Sequence, residues 1–201
     1  TVASVISDAS TAEDAAYSLN IASNFADVDD AMTFTISGAP STITASTAGV
    51  ISGTPVNANV GAHSIVVTAT DAGGSNTVSD TYVLTVTNVN DAPTVTSAIS
   101  DVSTAEDAAY LLNAASTCTD VDADDTLSYT ISGAPSTITA TTAGVISGTP
   151  VNADVGAHTI TVTCTDDSSA ATSATNQYVL TVTNVNDAPT FTSTADTTAP
   201  E

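Results

Sequence analysis

Residues 35–63 read TISGAPSTITASTAGVISGTPVNANVGAH, and the same string returns at 130–158 with two changes, Thr141 standing for Ser46 and Asp154 for Asn59. A match of this length is an internal repeat, and a repeat decides the architecture before any residue is weighed. Working outward, ISDASTAEDAAYSLN from Ile6 recurs as ISDVSTAEDAAYLLN from Ile99, and TYVLTVTNVNDAPT from Thr81 recurs as QYVLTVTNVNDAPT from Gln177. The spacing between copies grows from 93 to 96 residues along the repeat. Small insertions therefore fall in loops near Asp124 and between Asp166 and Gln177. The expected layout is one repeat over 1–93, a second over 94–189, and a first strand of a further repeat, or a strand docking on another subunit, over 190–201.

Within each repeat the apolar residues recur at a period of two. Ile160, Val162 and Cys164 alternate with Thr159, Thr161, Thr163 and Thr165, and Met32, Phe34 and Ile36 alternate with Thr33 and Thr35. This is the signature of a strand with one buried face. Turn residues separate the runs, as in Ser37-Gly38-Ala39-Pro40, Ser52-Gly53-Thr54-Pro55 and Asp71-Ala72-Gly73-Gly74. Six or seven short strands per repeat, with no helical stretch, predict an all-β chain of two tandem immunoglobulin-like β-sandwiches. The abundant Thr suits a solvated strand face, with O-glycosylation as the alternative. No Asn-x-Ser/Thr sequon is present.

The chain carries 22 Asp plus Glu and neither Lys nor Arg, a net charge of −22. Such a surface repels phosphate, which excludes nucleic acid and anionic membranes as partners. No apolar run approaches the roughly 20 residues of a membrane helix, and no basic-then-apolar signal segment opens the sequence.

The carboxylates are clustered. Repeat 1 has Glu13, then Asp27 and Asp29, then Asp71, then Asn88-Val89-Asn90-Asp91; repeat 2 has Glu106, then Asp120 and Asp122, then Asp166, then Asn184-Val185-Asn186-Asp187. In a sandwich the loops holding Asp120, Asp122 and Asp166 meet at one pole, the pole that receives the linker with Asn88, Asn90 and Asp91. Glu13 reaches the same junction from the preceding repeat. Two carboxylates about 4 Å apart repel by roughly 4 kcal/mol at an effective dielectric near 20, and this chain has no basic residue to offset them. Oxygen-only donors on loops suit calcium, which takes 6–8 oxygens; zinc calls for His or Cys, absent from the cluster. The alternative is that these Asp residues are ordinary turn formers.

The run STAGVISGTP followed by GAHSIVVTATD resembles the cadherin-like and putative-immunoglobulin repeats of prokaryotic surface proteins. DVDADDTLSYTISG is similar to the aspartate motif that opens a cadherin repeat, and NVNDAPT to the cadherin linker. The resemblance implies a calcium site at the junction made by Glu13, Asn88, Asn90, Asp91, Asp120, Asp122 and Asp166. It also implies half-sites of Asp27, Asp29 and Asp71 at one free pole, and of Glu106, Asn184, Asn186 and Asp187 at the other. Three departures reduce the expected ions to one or two per junction: Ile51-Ser52-Gly53-Thr54-Pro55 replaces an acidic triplet, Asn88 stands where cadherins carry Asp, and Ala92 where they carry Asn.

Cys118 and Cys164 occur in repeat 2, where repeat 1 has Phe25 and Ala69. Cys164 shares the inward parity of Ile160 and Val162, and Cys118 that of Tyr110 and Leu112. They stand on the second and sixth strands, the pair bridged in immunoglobulin domains, with two buried free thiols as the alternative. A bridge would place the chain in an oxidising setting, extracellular or at a cell surface. His63 and His158 follow Gly-Ala at equivalent positions and read as structural. No nucleophile, phosphate-loop or metalloprotease motif is present, so no enzyme is expected. The leading expectation is a calcium-rigidified structural repeat of a stalk, adhesin or filament, partnered by neighbouring copies of itself. A carbohydrate- or surface-ligand-binding module is the alternative, but aromatics are only 4% of residues and fall at strand parity positions.

Overall fold

A computed structural model describes residues 1–74 and 76–191. The backbone divides into two compact units, Thr1–Asp91 and Ala92–Glu201. Unit 1 holds β1 (Ala9–Ala12), β2 (Tyr17–Asn20), β3 (Met32–Ser37), β4 (Ile43–Ala45), β5 (Val50–Gly53), β6 (Gly61–Asp71) and β7 (Thr77–Thr87). One sheet runs β1-β7-β6-β3 and the other β2-β5-β4. Unit 2 adds β8 (Thr94–Val95), β9 (Val102–Ala105), β10 (Tyr110–Asn113), β11 (Cys118–Thr119), β12 (Ser128–Ser132), β13 (Ile138–Ala140), β14 (Val145–Gly148), β15 (Gly156–Thr165) and β16 (Ser173–Thr183). Its sheets run β12-β15-β16-β9 and β10-β14-β13, with β8 paired to β11.

Alternation in sequence becomes two-sidedness in space. In β6, Ile65, Val67 and Ala69 are buried against the second sheet, while Ser64, Thr68 and Thr70 face outward. Neighbouring strands continue the outer pattern: Thr70 pairs with Thr33 on one side and Thr77 on the other, and Thr68 with Thr35 and Ser79. Each core holds one polar link between its sheets. The Tyr17 and Tyr82 hydroxyls meet at 3.3 Å, and the Tyr110 hydroxyl donates to that of Tyr178 at 3.0 Å. Each pair supplies the partner that a buried phenol requires. At the turn after β3 and after β12, Gly38 and Gly133 take φ of +77° and +78°. A Cβ there would stand 2.3 Å and 2.2 Å from the Ser64 and Thr159 carbonyl oxygens, so no other residue fits.

In each unit the last strand lies side by side with, and parallel to, an early one, β7 with β1 and β16 with β9. Ala9 to Ala12 pair with Leu84 to Thr87, and Val102 to Ala105 with Leu180 to Thr183.

Cys118 and Cys164 form a disulfide across the sandwich, with Cα atoms 6.7 Å apart. Unit 1 fills the same space with the Phe25 ring, packed on Phe34 at 5.5 Å between centroids. The structure differs from the sequence expectation in two respects. The second strand of repeat 2 is broken, so Cys118 sits on β11 and not on the strand of Tyr110, because the backbone turns through Ala114 to Thr117. Single 3-10 turns also occur at Ala22–Asn24, Asn57–Asn59 and Asn152–Asp154. Of the strand expected over 190–201, Thr190 and Phe191 carry no strand, and residues 192–201 lie outside the described residues.

Candidate metal centres at the acidic poles

Because β1 and β7 are parallel and end together, the residue after β1 meets the segment after β7. Glu13 donates its amide to the Thr87 carbonyl at 3.0 Å, and its Oε1 accepts from the Val89 amide at 2.9 Å. Glu106 repeats this in unit 2, with Thr183 at 2.9 Å and Val185 at 2.7 Å. The residue that follows each Glu, Asp14 or Asp107, sits in the left-handed region at φ 56° and 58° and donates its amide to the Pro55 or Pro150 carbonyl at 2.8 Å. Asp tolerates that conformation better than most residues, and the kink ends the strand with the Glu directed inward. The two Glu residues are 2% and 1% exposed, and Oε2 of each has no hydrogen-bond partner.

Of the residues expected to act with Glu13 in unit 1, Asp91 brings a carboxylate oxygen within 4.8 Å of it. Asn90 donates its side-chain amide to the Asp91 carbonyl at 3.0 Å, while Asn88 is exposed. The corresponding segment of unit 2 has Asn186 donating to the Asp187 carbonyl at 3.4 Å, with Asn184 and Asp187 exposed. At the opposite pole of unit 1, Asp27 Oδ1 accepts from the Asp29 amide at 3.2 Å, and Asp71 Oδ2 accepts from Asn76 at 2.8 Å. Asp27 and Asp71 line one small cavity there.

The equivalent pole of unit 2 is the more strongly acidic. Asp120 Oδ1 accepts from the Asp122 amide at 3.0 Å, and the Asp125 amide donates to the Asp122 carbonyl at 3.1 Å. These turns draw the carboxylates of Asp120, Asp122 and Asp125 within 4.8 Å of one another. Burial, and then the charges of Asp122, Asp166, Asp120 and Asp167, push the Asp125 carboxyl above its usual range. Asp125 was missed at the sequence level; the insertion near Asp124, which lengthens this loop over that of repeat 1, was its signal. Asp166, expected as a ligand, has a second occupation: its carboxylate accepts hydrogen bonds from the amides and hydroxyls of Ser168 and Thr172 and so organises its own loop.

Among the described residues, the buried side-chain oxygens that lack a partner are Glu13 Oε2, Glu106 Oε2, Asp120 Oδ2 and Asp125 Oδ2. All are carboxylate oxygens at the poles. A buried, unpartnered anionic oxygen is costly, and a chain with no Lys or Arg has no such side chain to offset its charge. The donor set is all oxygen, which suits a hard cation. The imidazoles are engaged elsewhere, His63 Nε2 lying 2.7 Å from the Asn59 carbonyl and His158 Nε2 2.7 Å from that of Asp154.

The model of the family described as Putative Ig domain matches residues 1–87 and again 92–183. No curated protein matches the chain. Among solved structures, human mucin-like protocadherin EC1-2 is 16% identical, with 90% of this chain and 98% of that one covered and a TM-score of 0.56. Human CDH23 EC21-23 is also 16% identical, over 88% of this chain and 72% of that one, with a TM-score of 0.59. At that identity the likeness establishes a fold, the tandem cadherin-like sandwich. The chain spans 28% of an endo-fucoidan hydrolase from glycoside hydrolase family 107, covering 92% of itself at 24% identity, and the TM-score of 0.42 carries no argument. No described helix is long and apolar enough to cross a membrane.

Proposed function

The chain belongs to the family described as Putative Ig domain, once in each unit, and from that premise we propose that it is a calcium-stiffened structural repeat of an extracellular stalk, adhesin or filament. Its partners are further copies of the same repeat, and it performs no catalysis. The observation that carries this reading is the set of four unpartnered carboxylate oxygens at the poles of a chain without a single Lys or Arg. Calcium supplies the missing positive charge and accepts 6–8 oxygens in irregular geometry. The proposed ligands are Glu13, Asn88, Asn90, Asp91, Asp120, Asp122 and Asp166, together with Asp125, whose carboxylate lies within 4.8 Å of those of Asp120 and Asp122. Asp27, Asp29 and Asp71, and Glu106, Asn184, Asn186 and Asp187, serve in the same way toward neighbouring repeats, in the arrangement 1–93, 94–189 and 190 onward. The disulfide accords with an oxidising, extracellular location.

Titration calorimetry with calcium, with magnesium as comparator, is the test. Calcium is expected to bind with a heat that Glu13→Gln and Asp125→Asn diminish, and to raise the melting temperature by mass action. No heat at millimolar calcium would sink the proposal.

A further inference from the structure

In each unit the chain enters through a short pairing, Val2 with Phe25 in unit 1 and β8 with β11 in unit 2, and then runs beside the strand by which it leaves. β1 lies parallel to β7 over four residue pairs, and β9 to β16 over four. Tension applied at a unit's two ends opens that short entry pairing and then draws the parallel neighbours in opposite directions along their own axes. The ladder is then sheared, so its hydrogen bonds resist together instead of opening one after another. Flanking bonds reinforce both ladders alike. Asp8 and Asp101 accept from the Val83 and Val179 amides at 2.8 Å each, and the amides of Glu13 and Glu106 close the far ends.

After the ladder breaks, the two units have different fates. Unit 1 contains no covalent bond between its strands, so the whole unit can be drawn out. In unit 2, Cys118 and Cys164 close a loop with a sequence separation of 46 that cannot lengthen while the bond holds. We infer that the two units form an asymmetric tension-bearing pair, in which unit 1 is fully extensible and unit 2 carries a covalent stop that tension itself uncovers. In the folded unit the two cysteines are 4% and 0% exposed, and thiol–disulfide exchange depends on access. Once β9 has parted from β16, tension draws off β8 and β16, the strands paired at Cys118 and Cys164, and the cover goes with them. A thiolate from an external dithiol then attacks one sulfur, the other leaves as a thiolate, and the second thiol of the reagent completes the reduction. The stored loop is released in that step.

The inference takes from the proposed function only that the chain is pulled at its ends. It requires no ion, so it is tested in chelator, where loss of calcium binding and failure of the stop are separate results. Single-molecule pulling of the whole chain should show two extension steps, one shorter than the other. At about 3.5 Å per extended residue, the 46-residue separation withholds about 160 Å. With dithiol present, a further extension of about 160 Å should follow the short step under held force and never precede it. Cys118→Ser with Cys164→Ser should merge the delayed extension into the step. Asp101→Ala should lower the rupture force of the short step alone, and Asp8→Ala that of the long step alone. If the double serine variant fails to fold, the wild-type comparison with and without dithiol decides the matter. Equal steps in the oxidised chain, or release by dithiol before any rupture, overturns the inference.

Discussion

Transplanting the solution of unit 1 into unit 2, by Cys118→Phe with Cys164→Ala, isolates what the disulfide contributes to stability. Closing a loop with a sequence separation of 46 removes chain entropy worth about 4 kcal/mol at 25 °C from the unfolded state. The ring introduced at 118 can pack on Tyr129 as Phe25 packs on Phe34, which returns about 1 kcal/mol. The net loss is about 3 kcal/mol. A sandwich of this size unfolds with an entropy of about 0.2 kcal/mol/K, so its midpoint should fall by about 15 °C. Scanning calorimetry with chelator should show two transitions, with only one displaced, and the unmoved transition serves as an internal control. A shift below about 4 °C, or one shared equally by both transitions, refutes the reasoning, because the bond's effect would then be absent or not confined to unit 2.

Two further predictions concern unit 2. Without calcium, the Asp125 carboxyl titrates above its usual value of 3.8. The folded state then binds more protons than the unfolded one between that value and the raised one, so stability falls as pH rises through this window. Asp125→Asn should flatten that slope in acid-to-neutral melting curves and raise the apo midpoint at neutral pH while weakening calcium binding. An unchanged slope counts against the crowded carboxylates. Gly133→Ala places a Cβ 2.2 Å from the Thr159 carbonyl oxygen at a φ of +78°, and should cost about 2 kcal/mol or more in urea unfolding. A neutral outcome there means that the turn relaxes freely.

The sandwich was legible because alternation is a local signal and the repeat supplied it twice. Cys164 was placed correctly from its parity with Ile160 and Val162, since all three share the unbroken strand β15. Parity served less well for Cys118, because the turn through Ala114 to Thr117 interrupts the strand on which the count relied. At the poles, spacing marked Glu13 and Glu106 but could not show that each is inserted beside the Val89 or Val185 amide with one oxygen left over. That depends on β1 lying parallel to β7, a pairing between the ends of the unit. Asp166 shows a second feature that spacing leaves hidden. Its residue type and position suggest a ligand, and in the structure Ser168 and Thr172, in a loop where the repeats diverge, also donate hydrogen bonds to its oxygens.

The parallel pairing of β1 with β7 and of β9 with β16 also bears on how two such similar units fold without exchanging parts. β1 must wait for a partner more than 70 residues downstream. β7 and β16 each end in the string YVLTVT and are followed by NVNDAPT, so both offer β1 the same surface. During synthesis the choice is made by timing: β7 emerges first, and amino-terminal units close before later ones appear. Dilution from denaturant removes that order. Chains refolded in vitro should therefore partition into native molecules and misassembled ones in which β1 has captured β16, and a strand that has settled on the wrong copy must unfold before it can find its own.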